Sequence, residues 1–409
     1  MERRPTVAVR IREKAVSSID TNTSPRWFRR DDCRAEDLAA LTAEVTRLDD
    51  YPHASRVVDN TVVYDGNRLR DLADDADARR DVQAELAHAF LDGPGVVAFE
   101  RAYPDTAVVD RASEAFFAMI AEQHARGAVI GDHYAKPGAN DRVWNALEKL
   151  ALGWPDVFVD YYANEIIALA SGAWLGPGYQ LSAQVNVVNP GGEAQQPHRD
   201  YHLGFMTTDE ATMFPAHVHR LSPMLTLQGA VAHTDMPVET GPTMYLPHSQ
   251  KYPAGYVAWP LPEFKEHFAA HHVQLALHKG DAVFFNPALF HAAGTNRTPD
   301  VRRMANLLQV SSAFGVAMET IDHEAMANAV YPTLRDRQAS GTSAALLEHA
   351  VLAAAGGYAF PTNLDHDPPV GGLAPDSQAA FVRRALADGW DAERLGITLA
   401  EHAERRRSR

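Results

Sequence analysis

The sequence predicts a mainly β core with α elaborations, a jelly-roll barrel flanked by N- and C-terminal helices, and three observations predict it. Strand patterning is concentrated between residues 179 and 315, where Leu181, Ala183, Val185 and Val187 alternate with Ser182, Gln184 and Asn186 at close to period two. Helical periodicity dominates on both sides of that block. Within it, turn formers such as Asn189-Pro190-Gly191-Gly192, Thr240-Gly241-Pro242 and Lys279-Gly280-Asp281 separate short apolar runs. A strand-rich block wrapped from both ends is the pattern of a barrel carrying helical layers.

Taken in order, residues 1–35 mix charges, Ser, Thr and Pro and read as an N-terminal arm. From 36 to 92 helical spacing recurs, in Leu38, Leu41, Val45 and Leu48, in Leu69 and Leu72, and in Val82, Leu86 and Phe90. Gly93-Pro94-Gly95 breaks the chain before a short buried-strand pattern, Val96-Val97-Ala98-Phe99. A helix is expected over 107–126, with Ala112, Phe116 and Ile120 on one face. The stretch 129–141 is polar and turn-rich, a helix is expected from near Arg142, and another over 157–173 ends at Gly176-Pro177-Gly178. Met224–Val231 and Ala282–Phe285 are further strand candidates. After 316 helices return, with Ala345, Leu346, Ala350 and Leu352 in one run. A Pro/Gly/Asp-rich loop spans 361–376 and a last helix begins near Ser377. The expected organisation is an arm (1–35), a helical part packed on the barrel (36–178), the β core (179–315) and a helical extension (316–409), together one compact unit.

Bulk properties narrow the function. The chain has 409 residues, 46% of them hydrophobic, enough for a full core. Its formal charge is −15, and the short Arg405-Arg406-Arg407 run reads as a solvated end, so nucleic acid and anionic membrane are poor partners. Cys33 is the only cysteine, which rules out an intrachain disulfide and cysteine-based zinc or iron–sulfur sites, and fits a reducing compartment. The start, Met1-Glu2-Arg3-Arg4-Pro5, lacks the apolar run of a signal peptide, and no stretch approaches the ~20 apolar residues that span a bilayer. The expectation is a cytoplasmic protein that acts on a small molecule. The helices outside the core would shape its pocket or a homo-oligomer interface.

The chemistry is carried by Gln196-Pro197-His198-Arg199-Asp200. On an extended strand, side chains two apart share a face, so His198 and Asp200 can grip one metal ion together. A second histidine, His291, closes a later strand-like run and would complete the 2-His-1-carboxylate triad of non-haem Fe(II) oxygenases. Beyond it, Gly294–Asp300 supplies turn chemistry, and a strand follows over 302–310. A hairpin symmetric about 296–297 would set Arg302 opposite His291. There it could clamp the far carboxylate of a dicarboxylic acid, such as 2-oxoglutarate, whose other end chelates the metal. Adjacent strand residues face opposite sides, so only one of Arg302 and Arg303 enters the barrel. The spacing selects Arg302.

With these residues in place, the chain resembles the phytanoyl-CoA dioxygenase family of Fe(II)/2-oxoglutarate oxygenases, over about 90–315. The resemblance rests on His198-Arg199-Asp200, on Thr240-Gly241-Pro242 leading to Tyr245-Leu246-Pro247-His248-Ser249, on Gly280-Asp281 before an aromatic strand, and on His291 with Arg302 eleven residues on. It implies a double-stranded β-helix (cupin-like), His198, Asp200 and His291 as catalytic iron ligands, and Arg302 as partner of the 2-oxoglutarate C5 carboxylate, with O2 as oxidant. It also implies hydroxylation of an unactivated C–H bond of a small or medium metabolite, with release of succinate and CO2. Asp200 favours that outcome over halogenation, because related halogenases replace this carboxylate with a small residue. Three positions depart from the pattern. Ala293 replaces a hydroxyl residue, Gln228 stands where a tryptophan can lie near the cosubstrate, and Pro247-His248-Ser249-Gln250 replaces a proline-glycine-serine-histidine turn.

Gln184, Asn186, Gln228 and Lys136 are further candidates to touch the cosubstrate, and His202 and Arg142 to line the substrate pocket. The remaining histidines read as surface or hydrogen-bonded residues, and Trp144 and Trp259 as packing residues. Two other readings stand beside the oxygenase: a cupin-type isomerase or lyase using another divalent ion, which would not need Arg302, and a noncatalytic barrel that only binds.

Overall fold

In the computed structural model, residues 25–72, 75–127, 138–200, 202 and 206–408 are described. Eleven strands are named in chain order: β1 (Arg56–Val58), β2 (Thr61–Asp65), β3 (Val96–Glu100), β4 (Asn140–Val143), β5 (Gln180–Val188), β6 (Thr226–Ala232), β7 (Met244–Leu246), β8 (Val273–Gln274), β9 (Ala282–Phe285), β10 (Phe290–Ala292) and β11 (Arg303–Ser311). They form a mixed eight-stranded sheet, ordered β1-β2-β3-β9-β6-β11-β5-β4, and a three-stranded antiparallel sheet, ordered β10-β7-β8.

The period-two alternation seen in the sequence sorts the large sheet into two faces. Leu181, Ala183, Val185 and Val187 of β5, Leu227 and Val231 of β6, Phe284 of β9, and Met304, Leu308 and Val310 of β11 point to one side. There they pack with Phe116, Phe158, Val330, Val351 and Leu399. Those partners come from helices Ala107–Ala125, Pro155–Tyr162, His323–Ala339, Ala344–Ala354 and Ala392–Arg406. Helices from both ends of the chain therefore share one core against one face of the sheet. The alternate residues, Gln184 and Asn186 of β5, Gln228 and Ala230 of β6, Val283 and Phe285 of β9, and Arg303, Ala305, Leu307 and Gln309 of β11, line a cavity on the other face. The small sheet closes that side, with Tyr245 and Leu275 packed against Val283, Phe285 and Val96.

Three local readings change. Besides the expected strand at Val96–Phe99 (β3), the stretch 36–178 supplies β1, β2 and β4: Val57, Val62, Val63 and Tyr64 pair in register with neighbouring strands and gain ladder partners that local spacing does not reveal. Arg142 lies on β4, paired with Asn186, and the helix expected there starts only at Ala146. The helix expected over 157–173 is two, Pro155–Tyr162 and Glu165–Leu175, separated where the Asn164 side chain accepts the amides of Ile166 and Ile167 and caps the second.

The N-terminal segment docks on the small sheet through His248. Its backbone is left-handed (φ 68°), a conformation that glycine adopts without strain and that a histidine keeps only when held. The ring is fully buried, with Nε2 3.0 Å from Thr46 Oγ1. Burial, reinforced by the nearby Lys251 ammonium, pushes its pKa down to about 4. An unfolded chain binds a proton at this histidine below about pH 6.5 and the folded one only near pH 4, so between those values stability falls as pH falls. Asparagine tolerates the left-handed backbone and does not titrate. Thermal melts at pH 7 and pH 5 are expected to show a smaller loss for His248→Asn than for wild type, by roughly 1–3 kcal/mol. Equal losses would mean this ring titrates alike in both states.

Candidate metal centre and its cavity

Residues 195–200 run antiparallel to β10 and extend the small sheet on that edge. Gln195 N–H donates to Ala293 O (2.9 Å), His198 N–H to His291 O (3.0 Å), His291 N–H to His198 O (3.1 Å) and Asp200 N–H to Pro287 O (3.0 Å). The two histidines are thus cross-strand partners, and Asp200, two residues on, joins them on the same face. One nitrogen or oxygen from each of His198, Asp200 and His291 lies within 4.8 Å of the others. His198 Nε2 is 3.6 Å from Asp200 Oδ1, and His291 Nε2 is 3.7 Å from Asp200 Oδ2.

Each imidazole is oriented by its other nitrogen. His198 Nδ1 lies 2.9 Å from Gln196 O and His291 Nδ1 lies 2.9 Å from Leu289 O. A carbonyl only accepts, so both Nδ1 atoms carry a proton, which leaves both Nε2 atoms turned to the carboxylate. The His291 ring packs on Phe285 (centroids 4.7 Å apart) and His198 meets Trp259 edge-on. Burial alone would raise the Asp200 carboxyl, but His198, His291 and the Gln228 amide overcome it and hold the group well below the usual carboxylate range. The Gln228 side-chain N–H donates to Asp200 Oδ2, while Oδ1 is buried without a hydrogen-bond partner. Two imidazoles and one carboxylate converging from one side, with cavity on the other, fit a divalent metal that keeps open positions, Fe(II) foremost.

The intervening Arg199 points away and anchors the loop. Its guanidinium donates to Tyr252 O (3.0 Å) and Ser249 O and lies 4.8 Å from the Phe290 ring centroid. Gly255 makes room for it: a Cβ there would sit 1.9 Å from Arg199 Cζ. The next residue, Tyr256, donates its hydroxyl to Asp200 O (3.0 Å). Gly255→Ala is therefore expected to displace the H-x-D segment. It should cost about 1–3 kcal/mol and weaken metal binding. Thermal denaturation with Fe(II) titration checks this, and an unchanged melt with unchanged affinity would refute the packing argument.

The cavity beside the triad has a volume of about 440 Å³. Gln184, Asn186, Gln228 and Arg142 all line it. Arg142 Nη2 donates to Gln184 Oε1 (2.7 Å), and its guanidinium lies 4.6 Å from the Trp144 ring centroid. Trp144, read from sequence as packing, also lines the cavity. His202 lies in a small recess that shares Asp200, Gln309 and Met318 with it, and its Nδ1 is 2.6 Å from Thr226 Oγ1. Lys136 lies outside the described residues.

Arg302 is not in the cavity, and that expectation is corrected. Its Nε donates to Asn189 Oδ1 (3.1 Å), its Nη2 to Asp141 Oδ2 (3.0 Å), and its guanidinium rests 5.1 Å from the Phe117 ring centroid on the helical side. The hairpin that selected it does not form. β10 pairs with β7 in the small sheet, whereas β11 pairs with β5 and β6 in the large one, so 293–302 is a crossing between sheets. Parity then brings Arg303 into the cavity with Ala305, Leu307 and Gln309. Arg303 is 6% exposed, its Nη1 has no hydrogen-bond partner, and burial pushes its pKa down to about 10. Among the described residues no carboxylate pairs with it, and a buried guanidinium facing an open volume is costly unless an anion completes it.

Sequence reading also missed Tyr245, which pairs with His291 in register and lines the cavity beside Thr243, and Glu319, beyond β11. The alternation of β11 about Leu307 and Gln309 held the signal for Arg303. Nothing local marks Glu319.

A dioxygenase of Aspergillus terreus, trt7, is 34% identical over 116 residues, covering 28% of this chain. The match spans about a third (34%) of that relative's length. Among solved structures, the non-heme alpha ketoglutarate dependent epimerase SnoN is 18% identical with a TM-score of 0.39, covering 57% of this chain and 84% of that one. HygX from Streptomyces hygroscopicus, solved with nickel, 2-oxoglutarate and hygromycin B bound, is 14% identical with a TM-score of 0.41, covering 58% and 90%. The phytanoyl-CoA dioxygenase (PhyH) family model matches residues 33–304, well over half of the chain. With that span and its His-Asp-His cluster, this protein belongs to the phytanoyl-CoA dioxygenase family, whose cofactor set is iron, 2-oxoglutarate and O2.

Proposed function

We propose that this protein is an Fe(II)/2-oxoglutarate-dependent oxygenase on a double-stranded β-helix, hydroxylating an unactivated C–H bond of a small or medium metabolite. The observation that carries the reading is the convergence of His198, Asp200 and His291 within 4.8 Å on the wall of a cavity. Bound iron with 2-oxoglutarate and O2 supplies an oxidant able to take hydrogen from such a bond.

The chain's own residues supply the rest. His198 and His291 present Nε2 to the metal, and Asp200 adds the third ligand and one negative charge. Gln228 orients the carboxylate. Arg303 replaces Arg302 as the anchor of the cosubstrate's far carboxylate, supported by its burial and its unpartnered Nη1. Tyr245 and Thr243, which line the cavity, supply the hydroxyls that Ala293 cannot. The apolar wall of Val283, Phe285, Leu275 and Leu307 excludes water from the reacting carbon.

Anaerobic addition of Fe(II) and 2-oxoglutarate is expected to give a weak visible charge-transfer band, and admission of air to give succinate. No band and no succinate would sink the oxygenase reading. Metal binding that ignores 2-oxoglutarate would favour the isomerase or lyase.

A further inference from the structure

Beside the Arg142–Gln184 pair, the cavity wall away from Arg303 carries buried hydrogen-bond acceptors that lack donors. Glu319 lines the cavity, and its Oε1 accepts the Asn145 N–H (2.7 Å) while Oε2 is buried without a hydrogen-bond partner. Gln228 Oε1 is likewise buried without a partner. Its identity as oxygen is fixed, because the other end of that amide donates to the Asp200 carboxylate. Gln309, paired across the strands with Gln228, adds a third buried and unpartnered Oε1 to the same wall. Orphaned acceptors inside a cavity each cost free energy unless a ligand donates to them. A fatty acyl chain has no donor to offer them, and the acidic chain has no basic cluster for a coenzyme A pyrophosphate.

We propose that the cavity takes a polar substrate presenting hydroxyl or ammonium donors to Gln228, Gln309 and Glu319, with Glu319 as the specificity-determining residue. This rests on the oxygenase reading, since it treats the wall as the substrate side of the iron site. Glu319 sits beyond the end of β11, outside the triad and away from Arg303. It therefore selects the substrate without holding metal or cosubstrate.

The test uses the full chain loaded anaerobically with Fe(II) and 2-oxoglutarate, with D-glucosamine, D-glucose and octanoate as probes in calorimetric titration. Both sugars are expected to bind and octanoate not. Glu319→Leu should weaken glucosamine at least about tenfold, the worth of a hydrogen bond to a charged group. Glu319→Gln separates the two donor chemistries, keeping glucose and weakening glucosamine if the donor is ammonium, and keeping both if it is hydroxyl. The charge-transfer band, which Glu319→Leu should leave intact, reports the iron site independently. Its absence in wild type would count against the oxygenase alone. Octanoate binding as tightly as the sugars, no sugar binding, or glucosamine indifferent to Glu319→Leu would each overturn the proposal.

Discussion

Replacing Arg303 with alanine is expected to raise the 2-oxoglutarate concentration needed for half-maximal succinate formation by at least about thirtyfold, whereas Arg302→Ala should change it less than about threefold. Truncating one partner of a buried, hydrogen-bonded charge pair costs roughly 2–5 kcal/mol, because the other charge stays buried and unpaired. Arg303 is buried with an open Nη1 on the cavity, while Arg302 already pairs with Asp141 and Asn189 outside it. Arg302 is half-exposed, and the buried Asp141 keeps His124 and Asn189 as partners, so losing Arg302 should register as a modest fall in melting temperature. Steady-state kinetics on the two variants, with titration of 2-oxoglutarate into the metal-loaded proteins, decides between them. The reverse pattern would return the anchor to Arg302 and invalidate the parity argument.

His198→Ala and His291→Ala are expected to abolish the charge-transfer band and reduce succinate formation to background. Each removes one of three donors and leaves Asp200 facing a single imidazole. The two histidines are also cross-strand partners, but through their backbones, which alanine preserves. The fold should therefore survive, and circular dichroism matching wild type with lost metal binding is the expected combination. Asp200→Ala should weaken iron binding as well, since it removes the only negative ligand. Retained metal affinity in all three variants would place the metal elsewhere.

The legible part of this molecule was what period and spacing carry. The alternation in β5 separated an apolar face, which packs on helices, from a polar one, which lines the cavity, and the H-x-D spacing put an imidazole and a carboxylate on one side of an extended segment. Gly280-Asp281 and Thr240-Gly241-Pro242 marked turns that the fold uses. Gly241 is the clearest, with positive φ and a Cβ position 2.3 Å from Thr295 O. Short β1 and β2 escaped notice because three to five residues between helical signals carry too little pattern. Local spacing also misplaced the arginine by one residue, and one residue is enough to move a side chain through the sheet.

By itself the sequence determined which imidazole and carboxylate share one face of an extended segment and the two-faced character of the β core, because strand periodicity is a local property of the backbone. Tertiary structure alone decided that 293–302 crosses between sheets, that Arg303 and not Arg302 meets the cavity, and that Glu319 joins its wall. Which strands pair depends on contacts between residues far apart in the chain, and no local pattern encodes that choice.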